Sequence, residues 1–120
     1  MVIALWVVNA LLALAFLGAG FMKVSKSKEA LKTAGMGWVD GYSDGAVKAI
    51  GAAELAGAVG LILPLATHIA PILTPIAAVC LALTMVGAVV THVRRSEPFT
   101  PALALGLLAV VSAVLGFLVV

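Results

Sequence analysis

GAAELAGAVGLILP, residues 51–64, sets a single glutamate, Glu54, in a run of glycine, alanine and leucine. A carboxylate means one thing in a soluble core and another in lipid, so the setting of this stretch decides the fold. Composition supplies the setting. Hydrophobic residues make up 64% of the 120-residue chain and charged residues only 10%, and the mean hydropathy is +1.28. Soluble domains carry roughly 25% charged residues. The chain is therefore predicted to be an all-α integral membrane protein, since in lipid the backbone polar groups must be satisfied within each helix.

Outward from Glu54 the charges are clustered, and four nearly charge-free windows remain: residues 2–22, 46–66, 72–92 and 100–120. Each has about the 20 residues needed to cross the hydrocarbon as a helix. The first could be mistaken for a signal peptide. It has no basic segment ahead of it and a longer apolar run than such peptides use, so a retained span is expected. The windows leave no room for a soluble domain, and residues 1–120 are expected to form one domain, a four-helix transmembrane bundle.

Lys23, Lys26, Lys28, Lys32 and Lys48 border or occupy the connection 23–45, and Arg94 and Arg95 lie in the third connection, whereas THIAP, residues 67–71, has no basic residue. All seven basic side chains thus gather at one end. By the positive-inside rule that end is cytoplasmic, both termini are extracytoplasmic, and the expected location is a bacterial plasma (inner) membrane crossed several times.

In the connection KVSKSKEALKTAGMGWVDGYSDGA a short interfacial helix is expected, with Ser25 or Ser27 as N-cap and Gly35 just past its end. Trp38 and Tyr42 stand where aromatic rings favour the membrane interface. A solvated basic linker is the alternative. In the fourth span Ala102, Gly106, Ala109, Ala113 and Gly116 make a groove of small residues, and Ala52, Ala56 and Gly60 make a similar row in the second. Rows of this kind allow close helix packing within a bundle or between subunits.

A carboxylate in a spanning helix costs roughly 2.5–3.5 kcal/mol on insertion scales, so it turns inward to a partner or a function. The face of Glu54 holds only Val47, Ile50, Gly51, Gly57, Ala58 and Leu61, and Lys48 lies about 120° round the helix. Its partner must come from another helix. Asn9, Phe16, Gly20 and Lys23 fall within about 60° of one another on the first span and should face the interior. His92 closes the third span at the same end as Lys23. The expected ligand-binding cluster is Glu54, Lys23 and His92, with Asn9 on the same inward stripe. For each there is a plainer alternative: a structural ion pair for Glu54, a snorkelling anchor for Lys23, an interfacial histidine for His92.

Other chemistry finds little support. The single cysteine, Cys80, forms no intramolecular disulfide and belongs to no CxxC motif, which excludes a self-contained thiol relay. His68 and His92 are about 30 Å apart at helical rise and cannot share a haem. Neither a metal-ligand cluster nor a phosphate-binding glycine loop is present, so no catalytic or metal site is assigned. The basic end faces anionic lipid headgroups of the bilayer and not nucleic acid.

GAGFMKV at the end of the first span, AIGAAELAGAVGLILP in the second and THVRRSEP closing the third together resemble the bacterial DoxX-like family, over almost the whole chain. The resemblance implies a small four-helix inner-membrane protein, in a family named after a membrane subunit linked to thiosulfate:quinone oxidoreduction and with relatives in oxidative-stress complexes. It implies a quinone or another lipophilic molecule near Glu54, within a redox-associated assembly or homo-oligomer. The chain has no redox centre of its own, so enzymatic activity is open, limited to that of a subunit in a quinone-linked oxidoreductase. Two other classes stay open: an accessory subunit of a larger membrane complex without a ligand, and a small proton-coupled drug exporter built on one membrane carboxylate.

Overall fold

A computed structural model describes residues 1–120. The chain is helical throughout: α1 Val2–Ser25, α2 Lys28–Thr33, a 3-10 turn Gly37–Gly41, α3 Asp44–Thr67, α4 Leu73–Arg94 and α5 Thr100–Val119. Four of these, α1, α3, α4 and α5, are long and apolar enough to cross a membrane. Only 28–33% of each spanning window is buried inside the bundle, which leaves outward faces rich in leucine, valine and isoleucine for lipid to cover.

The spans form a ring in which α1 packs on α3, α3 on α4, α4 on α5 and α5 back on α1. The short connections after α3 and α4 make those neighbours antiparallel. Close approach depends on absent side chains at a few points. A Cβ on Gly51 would lie 2.6 Å from the Cβ of Lys23 and 2.8 Å from the carbonyl oxygen of Gly20, so α1 and α3 touch backbone to backbone there. On α5 the small-residue row faces α4: Ala102, Ala109 and Ala113 are buried, and a Cβ on Gly116 would meet Pro75 at 2.9 Å. The expected row on α3 does not pack in this way. Ala52 and Ala56 are exposed, and only Gly60 meets another helix, at Ala77. The face that packs is Gly51, Glu54, Gly57, Ala58, Leu61 and Leu65.

Polar side chains tie the core together. Asn9 donates to the carbonyl of Leu61 at 2.9 Å and accepts from the Ser112 hydroxyl, joining α1, α3 and α5. Pro64 lies inside α3 and has no N–H to give to Gly60, four residues back. The Thr74 hydroxyl, buried at the start of α4, donates to that carbonyl at 3.0 Å. The carbonyl that Pro64 leaves without its helical partner thus bonds α3 to α4.

The connection after α1 folds back on the bundle. Ser27 caps α2 by accepting from the Ala30 N–H at 3.2 Å, with Glu29 in the first turn and Lys32 in the last, both favourable to the helix dipole. Gly35, at φ 99°, turns the chain out of the helix. Leu31 and Val39 bury themselves against Val47 of α3, with Met36, Trp38 and Tyr42 packed around them. This second small core holds the segment over the end of the bundle, and Ser43 then caps α3.

Candidate functional site

At the basic end the expected boundary needs correction, and the correction makes the site. The first span was expected to stop at residue 22, with Lys23 opening the connection. The helix α1 continues to Ser25, and Lys23, on the inward stripe as expected, is a buried residue of that helix. Its Nζ lies 2.5 Å from Oε1 of Glu54, and the two side chains are only 9% and 2% exposed. The physical cause is the glycine pair one turn away. With no side chain on Gly51, the stem of Lys23 passes directly over α3 and its ammonium arrives at the carboxylate on the next turn. An ion in apolar surroundings is strongly drawn to such a partner. α3 begins at Asp44, so Glu54 lies about 15 Å along that helix at helical rise.

The Lys23–Glu54 pair lies on the wall of a cavity of about 540 Å³ that reaches all four spans. Met85, Leu105 and Ile50 supply apolar surface, and Met36, Trp38 and Tyr42 close over the end. The Trp38 and Tyr42 rings meet edge to face, with centroids 5.5 Å apart, and the Lys23 ammonium is 5.6 Å from the Trp38 centroid. Tyr42 is anchored twice. Its hydroxyl bonds that of Thr91 at 2.8 Å, and its carbonyl accepts from Lys28 at 2.6 Å.

His92 lines the same cavity, so the structure gathers three of the four expected residues around one space. Its direct partner is not Glu54 but Glu97, which it meets through Nδ1 at 3.2 Å. Arg95 holds the other oxygen of Glu97 at 3.3 Å. These contacts, the His92 hydrogen bond foremost, keep the Glu97 carboxyl below its ordinary value of 4.5. Asn9 is elsewhere. It is fully buried between Leu61 and Ser112, does not line the cavity, and has both ends of its amide bonded.

Trp38, Tyr42 and Thr91 were not among the expected site residues. Aromatic rings beside glycines in a basic connection read as interfacial anchors. Only the burial of Leu31 and Val39 against Val47 brings them over the cavity, and the apolar spacing of those three residues was the one available signal.

A ring of four spans enclosing a half-open polar and apolar cavity at its basic end defines a small multi-pass membrane protein with the architecture of a helical bundle. The family model described as the DoxX-like family matches residues 7–114. That match covers most of the chain, and the protein belongs to the DoxX-like family. Neither a curated protein nor a solved structure matches it.

Proposed function

We propose that the basic-end cavity binds a lipophilic molecule with a hydrogen-bonding head, above all a quinone, and that the protein acts as a subunit of a redox- or oxidative-stress-associated assembly. The observation that carries this is the cavity itself, which lies within the spans and has the Lys23–Glu54 pair and His92 on an otherwise largely apolar wall. Its volume falls in the range of about 300–1,000 Å³ usual for small-molecule sites. The residues suit a quinone head. Lys23 has ammonium hydrogens beyond the one given to Glu54, which suit a carbonyl oxygen. With Nδ1–H donated to Glu97, the Nε2 of His92 is an acceptor suited to a hydroquinone hydroxyl. Trp38 and Met85 offer flat or polarizable surface to a ring. A bound quinone would itself supply the redox chemistry, while the protein orients it.

The basic end is proposed to face the cytoplasm of a bacterial cell, with the termini outside, because Lys26, Lys28, Lys32, Arg94 and Arg95 all surround that end. They also suit anionic lipid headgroups. The completed Lys23–Glu54 pair favours a second reading, an accessory subunit whose charges only lock α1 to α3.

The two are separated by measuring stability and quinone binding together on wild type and on the double variant Lys23→Met/Glu54→Gln. A ligand site predicts a folded double variant that no longer binds quinone. Unchanged quinone binding by the double variant would show that the pair takes no part in recognition. Purification in mild detergent followed by quinone and lipid mass spectrometry tests the assembly: a large co-purifying complex without quinone supports the accessory subunit.

A further inference from the structure

We infer that the ligand reaches this cavity sideways from the bilayer, between α3 and α4, and that its head lies beside Lys23 while a hydrocarbon tail runs out past Gly87 over Leu83. This rests on the ligand site proposed above and specifies its class: an amphiphile with a compact head and an apolar chain.

The path follows from the two helix faces. α3 and α4 are in contact where Gly57 receives Leu81 and Gly60 receives Ala77. Toward the basic end the same α4 face continues through Thr84, Ala88 and Thr91, and the α3 face continues to Ile50. There these residues line the cavity. The seam that is tight in its middle thus borders open space at this end. The neighbouring seams are tight here: Gly20 and Gly51 bring α1 against α3, and Gly106 meets Met85 between α5 and α4.

The rim is on the lipid side. Gly87 and Leu83 line the cavity yet lie on the outer surface of α4, and Leu83 is 65% exposed. Measured from Arg94 at helical rise, Gly87 is about 10 Å and Leu83 about 16 Å toward the middle of the span, so both lie at hydrocarbon depth. The rim is also apolar in effect. Thr84 and Thr91 each return their hydroxyl to their own helix, to Cys80 O and Gly87 O at 2.9 Å. On the aqueous side, by contrast, the segment with Met36, Trp38 and Tyr42 is pinned by its small core and by the two Tyr42 bonds. A molecule dissolved in the bilayer therefore meets an apolar opening, and the polar groups lie behind it.

Gly87 allows a clean test, because a Cβ there meets nothing within 4 Å. A side chain can therefore start at the rim without a clash at its first atom, and phenylalanine is the bulk chosen to obstruct it. The probes are decylubiquinone and the same benzoquinone head without its alkyl chain. Gly87→Phe should melt like wild type, lose decylubiquinone affinity about tenfold or more, and keep the affinity of the tailless head. A decylubiquinone carrying a diazirine at the tail end should crosslink wild type on the outer face of α4, at Cys80, Leu83 or Gly87. Wild-type binding of both probes by Gly87→Phe would overturn the sideways path while leaving the ligand site standing. So would crosslinks confined to residues 34–43. Absence of binding of either probe to wild type would remove the ligand site and the path together.

Discussion

Removing Glu54 alone should damage the protein far more than removing it together with Lys23. The pair is 2.5 Å apart with side chains 9% and 2% exposed, so Glu54→Gln leaves a largely buried ammonium on the cavity wall with no carboxylate beside it. Breaking a buried pair in this way costs about 3–5 kcal/mol. The neutral amide oxygen of glutamine still accepts one hydrogen bond, which places the expected loss near about 3 kcal/mol. Lys23→Met keeps the stem that crosses Gly51 and should cost a similar amount, now through a stranded carboxylate. The double variant removes both charges. Its remaining cost is that of one buried amide, about 1 kcal/mol, so the coupling between the positions is large and favourable to the pair. Unfolding free energies from denaturant titration in mixed micelles, measured on all four proteins, give the cycle. Losses that simply add in the double variant would refute the reasoning and mean that the two side chains do not depend on each other in the membrane.

Gly51→Ala should cost about 1–3 kcal/mol by the same assay, because its Cβ meets the carbonyl oxygen of Gly20, which cannot move without parting α1 from α3; unchanged unfolding would show that the helices are not in backbone contact. Ala109→Leu should cost a comparable about 1–3 kcal/mol, or reduce the yield of folded protein, since Ala109 is wholly buried against the other spans, and a neutral outcome would place the row toward lipid. In a Cys80→Ala background, cysteines placed in residues 67–71 should react with an impermeant thiol reagent added outside cells, and cysteines replacing Ser27 or Ser96 should not; equal labelling would signify dual orientation and revive the exporter. The His92–Glu97 turn should loosen in acid. The folded-state carboxyl lies below its ordinary 4.5, so its contribution is complete above that value and is lost as pH falls through the lower folded value. Hydrogen exchange at residues 95–99 should show this loss in wild type, and Glu97→Gln should abolish the pH dependence.

Composition and the four continuous apolar runs were enough for the all-helical membrane class, because a run of about 20 apolar residues satisfies its backbone in lipid as a helix, whereas barrel strands alternate apolar and polar residues. Periodicity went further. The stripe of Asn9, Phe16, Gly20 and Lys23 was legible as an inward face, and all four are buried, since helical angles depend only on spacing along one helix. Ser27 and Gly35 likewise carry their local geometry with them. What could not be read from the chain depends on which helix stands beside which. The Ala52 and Ala56 row has the same spacing as a packing face, yet its direction relative to α1 and α4 leaves it outside. Lys23 has the composition of a span terminator, but whether it snorkels or turns in is decided by the empty space over Gly51 on another helix. Asn9 shares a stripe with Lys23 but meets Leu61 and Ser112, 52 and 103 residues away in sequence, so it serves the core and not the cavity. Trp38 and Tyr42 reach the cavity only because a three-residue core folds their segment over it. Helix identity and inward faces follow from short-range stereochemistry and solvent. The cavity arises from the register between helices, which is set by contacts distant in sequence.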